Sequence, residues 1–236
     1  MEYRIVRRRE LPTAEWSGGT TTQLAIWPED ASYADRNFTW RVSTARINDE
    51  KSEFTLLRGY NRVLMVLEGR LVLTHKTVTE FSGKYSSVVS RFGQTRFPAI
   101  PTSSTGRATD FNLMLLGYDK GFDRADGHVK KLDVPAGSTL ILSVPPLPAG
   151  WTHNDRIHKI MVNPPTPPVW MRYSEVFYIN EGEVSVRLPD GGTADLRKGD
   201  VVVTHYSGEN AGTEISFRNA SPDNDAIIIR AGIYYN

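Results

Sequence analysis

Apolar and polar residues alternate in short runs along most of this chain, and no long stretch keeps helical spacing. The alternation predicts strands over Trp40–Ile47, Arg62–Leu67, Arg70–His75, Asp110–Leu116 and Thr139–Val144. In the second half it predicts Val176–Asn180, Glu183–Leu188, Val201–Thr204, Glu214–Arg218 and Ala226–Ala231. Glu68-Gly69, Glu181-Gly182 and Asp190-Gly191-Gly192 supply tight turns, where glycine takes a positive φ without strain. Helix is expected only as a short piece within Asp119–Lys131. Many short strands separated by turns predict an all-β chain of sandwich or barrel units.

One strand–turn phrase occurs twice. It runs from Arg62 to Gly69 and again from Glu175 to Gly182. Aligned on the closing glycine, a cation in the first copy stands where the second has a carboxylate. The repeat predicts an N-terminal unit over 1–118, a crossing region over 119–138 and a C-terminal unit over 139–236. Pro145–Pro148 and Pro164–Pro168 read as rigid loops or edge-strand protection, since proline fixes φ and donates no hydrogen bond.

Composition narrows the partners. Lys+Arg 28 against Asp+Glu 27 leaves no long-range field to draw nucleic acid or an anionic membrane. The short basic run Arg7-Arg8-Arg9 reads as a solvated strand edge. Without cysteine there are no disulfides, thiolate nucleophiles or zinc–thiolate sites. The N-terminus lacks an apolar leader, and no stretch approaches a membrane span, so the expected compartment is the cytoplasm.

The repeated phrase resembles the first cupin motif, whose metal-binding form carries two histidines and a glutamate ahead of the closing glycine. Glu175 falls on that glutamate, but Val169 and Met171 occupy the histidine positions. In the first copy Arg62 replaces the glutamate, and Leu56 and Arg58 replace the histidines. Gly199-Asp200 ahead of an apolar strand resembles the start of the second cupin motif, whose last histidine falls on Ile215. One carboxylate does not hold a transition metal, so no metal and no cofactor are expected, and the C-terminal unit reads as a structural partner with an apolar interior.

The N-terminal half is similar to the HutD/Ves family. The likeness rests on Trp16-Ser-Gly-Gly19-Thr20, then Trp40-Arg41-Val-Ser43-Thr-Ala45, Gly59-Tyr60-Asn-Arg62 and Asp110-Phe-Asn112-Leu-Met114. The family's Phe-x-Gly-Asp segment is replaced here by Phe97-Pro98-Ala99-Ile100. This resemblance implies a bicupin associated with histidine utilisation or stress responses. It also implies a pocket for a small carboxylate-bearing metabolite, such as a formylated glutamate from histidine breakdown.

Strand period places Arg41, Ser43 and Ala45 on one face, and Asp110, Asn112 and Met114 on one face of another strand. If both faces line an interior, Arg41 and Arg62 would clamp a carboxylate and Ser43 would donate to it. Asp110 with Asn112 would orient an amine or amide. The competing reading is a buried Arg–Asp pair that only organises the interior. Trp16 and Thr20 flank a Gly-Gly loop that either closes over the mouth or is an ordinary turn. Tyr60 either lines that mouth or packs. Of the five histidines, His75, His128, His153, His158 and His205, none falls on a cupin ligand position.

These residues predict metabolite binding with a sensing or regulatory role and no assigned reaction. Two alternatives stay open. A metal-free isomerase, epimerase or lyase would need Asp110 with Tyr60, or His205 with Asp200, as its acid–base pair. A structural or assembly protein would show a filled interior. A homodimer through cupin sheets is compatible with either.

Overall fold

β-Branched and aromatic residues dominate the predicted strands, and each of these segments is strand in the structure. The computed structural model describes residues 1–54, 57, 59–75, 78–82, 87–92, 102–119, 122–123, 125–148 and 170–236. Leu56, Arg58, residues 97–100, His153, His158, residues 164–168 and Val169 lie outside them. The fold is all-β. Helical geometry among the described residues is limited to two 3-10 turns, Arg8–Glu10 and Gly208–Asn210.

The described residues group into two compact units. The N-terminal unit falls within Pro12–Val129, and the C-terminal unit joins Met1–Leu11 to 130–148 and 170–236. In the N-terminal unit a six-stranded sheet runs in the order Thr13–Trp16, Gly19–Trp27, Trp40–Ile47, Ala108–Leu116, Tyr60–Gly69, Ser87–Phe92. A four-stranded sheet has the order Lys51–Phe54, Thr102–Thr105, Leu71–His75, Val78–Ser82. Ile47, Leu64, Val66 and Ala108 of the larger sheet pack on Leu71 and Leu73 of the smaller. That shared dry layer makes the unit a β-sandwich of open sheets rather than one closed barrel.

The C-terminal unit repeats the plan. Its larger sheet has the order Glu2–Val6, Val201–Ser207, Arg172–Glu181, Ala226–Tyr235 and, from Lys130 on, the strand Ala125–Val134. The smaller one runs Thr139–Ser143, Glu214–Arg218, Glu183–Arg187, Thr193–Arg197. Phe177, Ile179, Val202 and Ile228 meet Val184, Val186, Ile215 and Phe217 in its core.

Three expectations change. The helix expected within Asp119–Lys131 is absent from the described residues there, which form Tyr118–Asp119, Phe122–Asp123 and the long strand Ala125–Val134. Asp126, Gly127 and Val129 are poor helix formers, and the sheet supplies this strand with a hydrogen-bonded neighbour. The basic run is not uniformly solvated either. Arg7 Nη1 donates to Asp200 Oδ2 at 2.9 Å and the Arg8 N–H to Asp200 Oδ1 at 3.0 Å, while Arg9 stays exposed. The Gly199-Asp200 turn thus anchors the first strand. Burial pushes the Asp200 carboxyl up, but the Arg8 N–H, Arg7 and the Arg197 N–H outweigh it and hold it below the ordinary range.

The third change concerns the C-terminal interior, which is not purely apolar. Glu175, 1% exposed, is ion-paired to Arg230 and accepts a hydrogen bond from the Tyr173 hydroxyl at 3.1 Å. A guanidinium of the same unit therefore occupies the carboxylate that a metal would need. Met171 is 69% exposed and Ile215 belongs to the dry core, so this donor set does not fit a metal ion.

Candidate functional site

The register of the six-stranded sheet builds the site. Arg41 stands opposite Met114, and Met114 opposite Arg62, so two guanidiniums flank a thioether across three strands. One step along, Gln23, Ser43, Asn112 and Leu64 form the next row; then come Thr21, Ala45, Asp110 and Val66. Side chains two apart share a face. The same inner face is accordingly dry near Ile47, Leu64 and Val66 and polar toward Arg41 and Arg62.

A cavity of about 270 Å³ opens on the polar end. Its wall includes Trp16, Arg41, Ser43, Arg62 and Asn112, all expected from the sequence, together with Tyr33 and Phe54. Asp110 belongs to the same face but lies fully buried behind Asn112, and takes no part in the wall. Thr20 is outside it as well, because the strand presents its neighbour Thr21. Tyr60 packs among Ile26, Phe38, Leu57 and Met114, and its one hydroxyl hydrogen is shared between the carbonyls of Arg36 and Phe38, at 2.8 and 2.7 Å. Of the two readings of Tyr60, packing is the one realised.

Arg41 is held on three sides. Its Nε donates to Gln23 Oε1 at 2.8 Å, its Nη1 to Ser43 Oγ at 3.2 Å, and its guanidinium lies 4.4 Å from the centre of the Tyr33 ring. All three partners are neutral. Burial lowers its pKa to about 10, opposed by Tyr33 and aided by Arg62, so the group remains cationic at neutral pH. Arg62 stacks 5.2 Å from the centre of Phe54, which itself stacks on Trp16. Its pKa also falls, through burial first, with Tyr33 and Asp110 pulling it back up.

Asp110 has the opposite problem. Burial pushes its carboxyl up to about 7, although Arg62, the Ala45 N–H and the Asn112 amide all favour the charged form. Asn112 Nδ2 donates to Asp110 Oδ1, which leaves Asn112 Oδ1 and Asp110 Oδ2 buried without a hydrogen-bond partner among the described residues. The Trp16 indole N–H is in the same position. Buried polar atoms are normally satisfied; of these three residues Trp16 and Asn112 line the cavity, and Asp110 lies behind it.

The Gly-Gly loop is an ordinary hairpin turn. Trp16 pairs with Gly19, and the Trp16 ring folds over Gly18. A Cβ at Gly19 would run into the Arg46 carbonyl oxygen, which is why glycine is required there. Tyr33, Phe54 and Gln23 are not among the site residues expected from the sequence. Tyr33 lies in an irregular loop and Phe54 at a strand end, so periodicity gave no signal for either. Gln23 sits two residues past Thr21 on a strand whose polar threonines mask the alternation.

Neither acid–base pair of the isomerase alternative is formed. Tyr60 is committed to backbone carbonyls, Asp200 to Arg7, Arg8 and Arg197, and His205 Nδ1 lies 2.8 Å from Ser174 Oγ. Among the described residues no three His, Cys, Asp or Glu side chains gather as a metal site, and no helix is long and apolar enough to cross a membrane.

Residues 8–141 match the family model described as HutD. No curated protein matches the sequence. Among solved structures, a conserved protein of unknown function from Pseudomonas aeruginosa PAO1 is similar, with a TM-score of 0.67 and 19% identity over 99% of both chains. HutD from Pseudomonas fluorescens SBW25 is similar with a TM-score of 0.59 and 20% identity over 98% of both. A bacterial pirin from Escherichia coli, solved in complex with nickel(II), shares 10% identity over 98% of both chains at a TM-score of 0.60. At these identities the structural likeness concerns the fold.

Proposed function

The chain belongs to the HutD family, and from that premise we infer that it binds a small carboxylate-bearing metabolite in its N-terminal unit. The role is sensing or regulatory rather than catalytic, exercised in the cytoplasm. Arg41 carries this reading. A guanidinium only 6% exposed, with a neutral amide, a hydroxyl and a ring as its partners, is a cation that an incoming carboxylate would match. Arg62 stands two strands away on the same wall and supplies a second fork. Ser43 donates from the floor.

The remaining polarity describes the other end of the ligand. Asp110 fixes the Asn112 amide, whose Oδ1 is then an acceptor for a ligand N–H or O–H. Trp16 offers a donor in return. A volume of about 270 Å³ suits a metabolite of few heavy atoms. The family's association with histidine utilisation makes carboxylates from histidine breakdown the first candidates. Near-neutral overall charge also favours a small molecule over nucleic acid.

A thermal-shift screen against small carboxylates tests this. A ligand at a hundred times its Kd should raise the melting temperature by roughly 5 °C or more. Arg62→Ala should abolish the shift. Indifference of the wild-type protein to the whole panel would remove the reading.

A further inference from the structure

We propose that Tyr33 is a positioning residue of this site, its ring holding the Arg41 guanidinium in the orientation that meets the ligand's carboxylate. The inference rests on the carboxylate reading of the cavity and adds to it a part that the sequence did not suggest.

Arginine is a long, rotamer-rich side chain, and an unrestrained one loses that freedom only when the ligand arrives. Here Gln23 and Ser43 grip the guanidinium by its edge, through Nε and Nη1. Neither covers its face. Tyr33 does, with its ring centre 4.4 Å from the guanidinium carbon, and the cavity wall includes both groups. Two edge contacts and one face contact define the plane, and the N–H groups left over have no acceptor among the described residues.

Tyr33 could do this only if its loop were fixed, and the loop is tied on both sides of it. The Ser32 N–H donates to Asn37 Oδ1 at 2.9 Å, and Tyr33 stacks on Phe38 with centroids 6.2 Å apart. Phe38, fully buried, packs 4.3 Å from the Tyr60 ring. The Tyr60 hydroxyl then bonds the carbonyls of Arg36 and Phe38. Tyr60 therefore reaches the site without lining it, through the loop that carries Tyr33.

The test uses the full chain with acetate and succinate as probes, alongside the Arg41 Nε–H signal in nitrogen-15 NMR, assigned by its loss in Arg41→Lys. Tyr33→Phe should bind within about twofold of wild type, whereas Tyr33→Leu should bind about five- to tenfold more weakly. The ring-current displacement of the Nε–H should persist in the first variant and vanish in the second. Tyr60→Phe, which leaves the cavity wall unchanged, should weaken binding in the same direction. Equal binding by wild type and Tyr33→Leu, or an Nε–H signal unmoved by the loss of the ring, would overturn the proposal while leaving the carboxylate reading standing. If wild type binds neither probe, that reading loses support, and the Nε–H signal alone decides whether Tyr33 fixes Arg41.

Discussion

At the scale of single residues, the site is a problem in buried charge. Arg41 and Arg62 are costly to bury, and Asp110 behind them resists ionisation, its carboxyl pushed up to about 7. Its proton is held more tightly folded than unfolded. Folding stability should therefore fall as pH rises from its ordinary value of 3.8 toward 7 and level off above. Ligand binding should follow the same sign. Ionised Asp110 adds a negative charge near the anion site, so carboxylate affinity should be several-fold higher at about pH 6 than at about pH 8. Asp110→Asn should flatten that dependence; equal affinities in the wild-type protein at both values would contradict the assignment. Arg41, Ser43, Arg62 and Asn112 line the cavity where strand period and the family phrase coincide, and Trp16 where the phrase alone points. Thr20 and Tyr60 share the phrase but face elsewhere, and sequence spacing cannot tell a ligand from a support one layer behind.

Elements were legible where alternation is apolar. The strands bearing Arg41, Arg62 and Asp110 stand where periodicity put them. Thr13–Trp16 and Gly19–Trp27 escaped, since runs such as Thr20-Thr21-Thr22 have high strand propensity without an apolar stripe. Glu2–Val6 is a strand because Val201–Ser207 pairs with it, a long-range partner that no local pattern reveals. The Trp16–Gly19 hairpin shows how an element positions the site. Its turn brings the Trp16 ring over Gly18 and toward Phe54, forming one side of the cavity. Gly19→Ala should cost more than about 2 kcal/mol, seen as a lower urea midpoint, because the added carbon collides with backbone rather than with a movable side chain. An unchanged midpoint would show that the hairpin can relax.

Across the whole molecule, two units of one plan differ at the position seven residues before the closing glycine. In the C-terminal unit Glu175 is kept and satisfied internally by Arg230 and Tyr173, in an interior otherwise filled by Phe177, Phe217 and their neighbours. The N-terminal unit has Arg62 there, on the wall of a cavity. The repeat was readable from Gly69 and Gly182, but Arg230 was not, since it comes from a distant strand with no matching phrase. Arg230→Met should destabilise by about 3–5 kcal/mol by stranding Glu175, and adding Glu175→Leu should restore most of the loss. A single variant as stable as wild type in thermal unfolding would contradict that pairing. The central claim, that Arg41 awaits an anion, is tested most directly by titration calorimetry of wild type and Arg41→Ala with the same small carboxylate at about pH 6. The account predicts saturable one-to-one binding by wild type and a loss of at least about tenfold in Arg41→Ala, as expected when a charge-assisted hydrogen bond is removed. Equal affinity in the two proteins would contradict it.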